Sequence, residues 1–288
     1  MLKQEKILVT GASGFIGSRV INFLLNKKLK IIASSRNTDK ASKQDWFKKV
    51  EYIPFDINCK VSKNLFNYFK KPYKLIHLSW DGLPNYNELY HIEQNLPDNY
   101  TFLKNMIANG LNDVTIAGTC FEYGIQNGCL SEECNTNPST TYAIAKDSLR
   151  NFIYALNQKY KFKLRWLRLF YVYGNRQNEN SLLGQLRDTI KKRNKTFNMS
   201  SGEQLRDYLH VDTMAKYIGL ATLQDNVLGN INICSGKPVS IRKLAENYIS
   251  ENKFSIKLNL GFYPMPSYEP IAFWGDNSKL KEIISQYK

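Results

Sequence analysis

Long apolar runs are missing from this chain. Nowhere does it approach the about 18 consecutive apolar residues that a membrane-crossing helix needs, and the opening residues Met1 to Lys6 carry no apolar signal region. A soluble, cytoplasmic protein with no membrane partner is expected. Cysteine and histidine are scarce and scattered. The five cysteines (Cys59, Cys120, Cys129, Cys134, Cys234) form no C-x-x-C pair, and the three histidines are widely spaced. That argues against a zinc site, or any metal centre, and against a disulfide framework. Internal repeats and low-complexity segments are absent too. Negative charge is in deficit: 40 Lys and Arg face 25 Asp and Glu, a net charge of +15. The excess is spread over short clusters such as Lys27-Lys28, Lys48-Lys49, Lys70-Lys71 and Lys191-Lys192-Arg193, and no nucleic-acid-binding motif accompanies them. A solvated basic surface that can attract anionic nucleotides is expected, with no nucleic-acid partner.

What is present is enough to build a core. Of the 288 residues, 43% are apolar, which suits one large domain or two smaller ones sharing a core. The organising stretch is Lys6 to Leu25. The apolar run Ile7-Leu8-Val9 leads into Thr10-Gly11-Ala12-Ser13-Gly14-Phe15-Ile16-Gly17, after which Phe15, Ile16, Val20, Phe23 and Leu24 recur at helical spacing. The pattern predicts a strand, a glycine turn and a helix. Gly11 permits the turn, Gly14 lets backbone approach a pyrophosphate, and Gly17 lets the helix pack on the strand. The helix N-terminus then offers N–H groups and a positive dipole end to phosphates.

The second strand, Lys30 to Ala33, runs into Ser34-Ser35-Arg36, with no acid before Asp39. An acid there would accept from a ribose 2′-hydroxyl and favour NAD; hydroxyls and a cation favour a 2′-phosphate, hence NADP(H). Glu51 to Phe55 is predicted as a third strand ending in Asp56-Ile57, and Leu75 to Trp80 as a fourth strand and its exit. There His77 is expected to be packed rather than catalytic. A helix is predicted near residues 87–109, with a kink or start at Pro97. The fifth strand, Val114 to Ala117, precedes Gly118-Thr119-Cys120-Phe121-Glu122-Tyr123-Gly124 and a polar loop from Gln126 to Ser139. A helix from Thr141 carries Tyr142-Ala143-Ile144-Ala145-Lys146, and Lys163 to Val172 is read as a sixth strand.

This alternation predicts an α/β fold, a doubly wound parallel sheet of Rossmann type over residues 1–174. Residues 175–288 are expected to form a smaller, mostly substrate-binding region. Its predicted elements are helices at 182–192, 212–223 and 241–251, a strand at 230–234, the proline-rich stretch 263–270 and a short terminal helix. The helix 212–224 is expected to pack back on the sheet.

Tyr142 and Lys146 lie one turn apart on one helical face, a spacing that suits proton transfer to a carbonyl or hydroxyl. A neighbouring ammonium, joined by a nicotinamide cation when the cofactor is oxidised, would favour the phenolate.

The G-x-x-G-x-x-G turn, Thr119 at a strand end and Tyr142-x-x-x-Lys146 together resemble the extended short-chain dehydrogenases/reductases, the NAD-dependent epimerase/dehydratase family, along nearly the whole chain. The resemblance implies a catalytic set of Thr119, Tyr142 and Lys146. It implies a cofactor site of Gly11, Ser13, Gly14, Phe15, Ile16, Gly17, Ser35, Arg36, Asp56, Ile57, Leu78, Ser79, Trp80, Tyr142 and Lys146. Asp56 would hold the adenine amino group, Ser79 would let the cofactor pass the strand end, and Asn95 would be structural. Substrate would meet Thr119, Cys120, Phe121, Tyr142, Gln177 and Arg206. Arg206-Asp207-Tyr208-Leu209-His210-Val211-Asp212 resembles a segment of nucleotide-sugar enzymes whose arginine binds a diphosphate, and Arg168 to Gly174 resembles the strand that closes their active site.

Two departures narrow the expectation. The 4,6-dehydratases of this family carry an acid and a base where this chain has Cys120 and Phe121, so dehydration is disfavoured. Many epimerases and dehydratases carry Asn where this chain has Tyr171. The pattern looks most similar to bacterial 4-ketoreductases of CDP- or dTDP-4-keto-6-deoxyhexoses, enzymes of deoxysugar biosynthesis for surface polysaccharides such as the lipopolysaccharide O-antigen. The resemblance thus implies an NADPH-dependent reductase of a nucleotide-diphospho-sugar, acting as a homodimer. The alternatives are a nucleotide-sugar epimerase that retains NAD, and a non-catalytic NADP- or RNA-binding regulator.

Overall fold

The computed structural model describes residues 6–59, 63–264 and 270–287. The strands are β1 (Lys6–Thr10), β2 (Lys30–Ser34), β3 (Glu51–Tyr52), β4 (Lys74–His77), β5 (Asp113–Thr119), β6 (Gly128–Leu130), β7 (Lys163–Leu169), β8 (Tyr171–Tyr173), β9 (Thr196–Asn198), β10 (Leu205–His210), β11 (Gly229–Ile233), β12 (Pro238–Ser240), β13 (Lys257–Asn259) and β14 (Phe273–Gly275). The helices are α1 (Phe15–Asn26), α2 (Thr38–Ser42), α3 (Leu65–Tyr68), α4 (Leu96–Ala108), α5 (Thr141–Tyr160), α6 (Leu182–Lys191), α7 (Val211–Leu223), α8 (Ile241–Glu251) and α9 (Ser278–Ser285).

The expected doubly wound sheet is present. Seven strands run in the order β11-β7-β5-β4-β1-β2-β3, and every neighbouring pair is parallel. Successive residues of a strand face opposite sides, and both sides are apolar. Leu8, Ile32, Leu75, Ile116 and Trp166 pack with residues of α3, α4 and α5, whereas Ile7, Val9, Ile31, Ile76 and Leu167 pack with residues of α1, α7 and α9. Each such side chain contributes about 1.5–3 kcal/mol by leaving water. The strand order reverses between β1 and β4, which opens a crevice at the carboxyl ends of these strands, where α/β folds bind ligands.

Several elements differ from the expectation. The stretch predicted as one strand from Lys163 to Val172 is two: β7 stays in the main sheet, and after Phe170 the chain leaves it so that β8 pairs with β10 in a separate sheet, β12-β10-β8. Strand β3 ends at Tyr52, although the N–H groups of Ile53 and Phe55 still donate to Ala33 and Ser35 at 3.0 and 3.3 Å. The loop expected at 126–139 contains β6, which pairs with β14. Strand β11 is the seventh strand of the main sheet, and Leu280 and Ile283 of α9 lie in the core beneath it, so both segments belong with the main sheet and not with the substrate-binding region expected over most of 175–288.

The helix predicted near Pro97 begins as a π-helical turn, His91–Asn95, and continues as α4 with the proline in its first turn, where a missing N–H is tolerated. Helix α7 does pack back on the sheet, beside α1, and Gly219 makes room for Phe23: a Cβ there would lie 2.3 Å from that ring. A second core, of Leu183, Leu186, Phe197, Met199, Leu244 and Ala245, knits α6, α8 and β9 into the smaller lobe. Residues 265–269 of the proline-rich stretch lie outside the described residues.

Candidate active site

The glycine turn between β1 and α1 forms the floor of a cavity of about 390 Å³, lined by Gly11, Ser13, Gly14, Ser35, Arg36, Asp56, Ile57, Leu78, Ser79 and Trp80 from the expected cofactor set. Gly11 has φ +66, and a Cβ on it would lie 2.9 Å from the Leu78 carbonyl and the Ser79 nitrogen. A Cβ on Gly17 would lie 2.2 Å from the Gly11 oxygen, so the helix sits directly on the turn. Gly14 caps α1 without any side-chain hydrogen bond, and the first turn holds no acid. A helix end left open in this way, facing a cavity, fits a dinucleotide's pyrophosphate. Phe15 and Ile16 are the first residues of α1, so they supply backbone N–H groups there.

At the end of the cavity nearest β2, Ser35 is buried and its hydroxyl lies 3.1 Å from the Tyr52 hydroxyl. Arg36 reaches Asp81, Nη1 to Oδ2 2.5 Å. Asn37, Lys40, Asn58 and Asp81 also line this cavity, and none was singled out in the sequence. Lys40 was the readable signal among them, a second cation four residues after Arg36.

Thr119, Tyr142 and Lys146 come together beyond Trp80. Thr140 caps α5 by accepting from the Ala143 N–H at 3.2 Å, and the Tyr142 N–H donates to the Tyr86 oxygen at 2.9 Å, which pins residues 82–90 onto the helix start. The Thr119 side chain lies beside the Tyr142 phenol. Burial pushes the phenol well above its usual range, and Thr119 opposes that. The Lys146 ammonium donates to the Ala117 oxygen at 2.9 Å and stands 3.9 Å from the centre of the Trp80 ring. Burial holds its pKa down to about 7, with the charge of Glu122 opposing.

His77 is packed, as expected. Its Nε2–H donates to the Asn99 Oδ1 at 2.8 Å and its Nδ1 accepts from the Thr10 hydroxyl at 2.9 Å. This tautomer follows from the network, since the Asn99 amide donates onward to the Asn95 oxygen at 2.6 Å. Asn95 is buried and donates to the Asp81 oxygen at 3.1 Å, a structural role. His91 was not read from the sequence: its Nδ1 accepts from Trp80 Nε1 at 3.1 Å and its ring stands 5.4 Å from that of Tyr142.

Cys120 is buried, and the Phe121 ring stands 6.4 Å from Tyr142 and 5.8 Å from Tyr171. These positions therefore present a thiol and an aromatic ring rather than carboxyls. Past Tyr171 opens a second cavity of about 410 Å³, lined among others by Tyr86, Gln177, Phe197, Met199, Gln204 and Arg206. Gln177 Nε2 donates to the Val172 oxygen at 3.0 Å. Arg206 is buried, and its guanidinium stands 5.1 Å from the Phe273 ring. The next residue points the other way, as strand alternation requires. Asp207 accepts from the N–H groups of Ser235 and Gly236 at 2.7 and 2.8 Å and ties the lobe together. His210 caps α7, accepting from the Asp212 N–H at 3.4 Å. Among the described residues no group of His, Cys, Asp and Glu could hold a metal ion, and no helix is long and apolar enough to cross a membrane.

The sequence pattern of the NAD dependent epimerase/dehydratase family matches residues 7–234. The chain belongs to this family. Among family relatives, dTDP-6-deoxy-L-talose 4-dehydrogenase (NAD(+)) of Aggregatibacter actinomycetemcomitans is 30% identical over 93% of this chain and 98% of its own length. The dTDP-4-dehydro-6-deoxyglucose reductase of Escherichia coli is 22% identical over 90% of this chain and 85% of its own. A solved UDP-glucuronic acid 4-epimerase from Bacillus cereus, in complex with UDP-glucuronic acid and NAD, shares the fold with a TM-score of 0.82 at 22% identity, covering 98% of this chain and 93% of that one.

Proposed function

We propose that this protein is a nucleotide-sugar oxidoreductase that uses NADPH to reduce the C4 ketone of a nucleotide-diphospho-4-keto-6-deoxyhexose. The observation that carries the reading is the pair Cys120 and Phe121 beside the Thr119–Tyr142–Lys146 cluster. The cluster can serve a ketone, and the pair removes the acid and base that water elimination needs. The names of two of the relatives, a 4-dehydrogenase and a reductase of dTDP-6-deoxy sugars, agree with the chemistry at C4, while the first of them names NAD(+) as its cofactor.

The cofactor would lie along Gly11, Gly14, Ser35, Arg36, Asp56 and Ser79 and supply hydride to C4. Thr119 would orient the carbonyl. Tyr142, kept as the neutral phenol by burial, would give its proton to the forming alkoxide. Lys146 would stand by the resulting phenolate and hold the nicotinamide ribose. Arg206 would meet the diphosphate, for which a planar guanidinium is suited, with Gln177 on the same cavity wall. Arg36 and Lys40 favour a 2′-phosphate, the basis of the NADPH assignment.

The test is a panel of CDP-, dTDP-, UDP- and GDP-linked 4-keto-6-deoxysugars, read by loss of NADPH absorbance, with deuterated NADPH placing label at C4 of the product. Interconversion of two sugar nucleotides without added reductant or label would favour the second reading, an epimerase with retained NAD. The epimerase fold match supports that alternative.

A homodimer is part of this proposal. Ile144 and Phe152 of α5 and Leu89 ahead of α4 are exposed, and Tyr100 of α4 packs on Phe152 with ring centres 5.5 Å apart. Such a two-helix apolar face suits a second copy of the chain.

A further inference from the structure

Directly beneath the reacting cluster lies a carboxylate that the reaction does not consume. Glu122 is fully buried, in the short turn that follows β5. Its Oε1 accepts from the Thr119 N–H at 2.8 Å and from Trp166 Nε1 at 2.9 Å, and its Oε2 accepts from Arg168 Nε at 2.9 Å. Arg150 Nε stands 3.7 Å from the same Oε2, and Arg150 also binds Asp147 at 2.8 Å. Arg150 lies one helical turn after Lys146 on α5. One carboxylate therefore joins β5, which carries Thr119, to β7 and to the helix that carries Tyr142 and Lys146.

The turn closes a reciprocal cap: the Thr119 N–H goes to Glu122, and the Thr119 Oγ1 accepts from the Phe121 N–H at 3.2 Å. With that lone pair engaged, the Thr119 hydroxyl has its proton to offer, and it faces Tyr142. Packing alone does not call for a carboxylate here, because burying charge is costly and an apolar side chain of similar volume is often better tolerated. The chain has instead cleared space for it. Position 118 is glycine, and a Cβ there would lie 2.2 Å from Trp166 Nε1 and 2.5 Å from Glu122 Oε1.

We infer that Glu122 is a positioning residue, which sets the register of the Thr119 hydroxyl against Tyr142 by binding the Thr119 amide on one side and the Arg168–Arg150 pair on the other. The inference rests on the reading of Thr119 and Tyr142 given above. Glu122→Gln tests it, because the amide keeps the size but turns an N–H donor toward another donor.

The expected result is a fall of about tenfold in kcat on the keto sugar, the scale of a small misplacement of a reacting group, with NADPH affinity unchanged. Thr119→Val and the double variant Thr119→Val/Glu122→Gln should then have equal kcat, since Glu122 acts through Thr119. Wild-type kcat in Glu122→Gln, or losses that multiply in the double variant, would overturn the inference.

If Glu122→Gln fails to fold, Arg150→Met removes the link to α5 alone and should lower kcat about threefold with NADPH affinity unchanged; an unaltered kcat counts against the inference. Amide hydrogen exchange provides an arm independent of turnover. The Thr119 N–H should be among the slowest in the wild type and exchange faster in Glu122→Gln relative to the amides of α1. An unprotected Thr119 amide in the wild type sinks the positioning role. A wild type inactive on every 4-keto sugar sinks the reductase reading instead and leaves the exchange result to judge Glu122.

Discussion

Arg36, on the loop after β2, and Asp81, on the loop after β4, are joined at 2.5 Å, and both line the cavity over the glycine turn, where the cofactor is proposed to lie. A 2′-phosphate on the adenosine ribose would have to take Arg36 from Asp81. A 2′-hydroxyl would have no such contest.

Cofactor choice can therefore be shifted in both directions. NADPH should be used at least about tenfold more efficiently than NADH, roughly 1.4 kcal/mol. Arg36→Ala should raise the Michaelis constant for NADPH and leave that for NADH nearly unchanged. Asp81→Asn should improve NADPH by about two- to fivefold, because an exposed ion pair is worth less than about 1 kcal/mol. Steady-state kinetics with both cofactors decide the matter, and NADH kinetics equal to or better than those with NADPH in the wild type would remove the assignment.

Assembly is open to an equally direct check. Phe152→Glu places a charge in the middle of the exposed apolar face of α5 and should convert a dimer into a monomer in light scattering at micromolar concentration. A monomeric wild type would dispose of the dimer.

The fold was legible where one local pattern decided the outcome. Ile7-Leu8-Val9 followed by three glycines could hardly do other than form β1, a tight turn and α1. Tyr142 and Lys146 were legible because helical spacing is itself geometry. The sequence was silent where partners are distant. Nothing in the run from Lys163 to Val172 marks Phe170 as the point of departure from the sheet; the pairing of β8 with β10, about 40 residues on, decides it. Asp81 could not be linked to Arg36 across a separation of 45 positions, nor Glu122 to Trp166 and Arg168 across separations of 44 and 46. Strand β11 read as a strand, but only the register of Ile231 and Ile233 with Leu167 and Leu169 puts it in the main sheet.

His77 makes acid stability testable. Burial, then the charge of Lys146, depresses its pKa to about 3 from an ordinary 6.5. Between those values the unfolded chain binds a proton that the folded chain refuses. The contribution of this group is thus complete above about pH 6.5 and falls as pH drops toward 3, by at most about 1.4 kcal/mol per pH unit. His77→Gln retains a donor and an acceptor for Asn99 and Thr10 but cannot titrate. Urea midpoints followed from about pH 7 to about pH 4.5 should fall less steeply in the variant. Parallel curves would mean that His77 does not set the acid limb.

Direction of reaction should split the pH dependence. Burial raises the Tyr142 pKa, so the protein by itself holds the phenol protonated throughout the neutral range. Reduction needs that protonated form. Its rate should stay level from about pH 6 to about pH 8.5 as far as Tyr142 is concerned. Oxidation of the matching 4-hydroxy sugar with NADP⁺ needs the phenolate, which is the minor form over the same range, favoured by Thr119, by the cationic nicotinamide and by whatever charge remains on Lys146. That rate should climb with pH, by up to about tenfold per unit while the phenol stays protonated. The two profiles, measured on one preparation with the cofactor saturating, separate this arrangement from a tyrosine whose pKa lies near neutrality. In that case reduction would fall over the interval in which oxidation rises, and the phenol could not be the resting proton donor that the buried site implies.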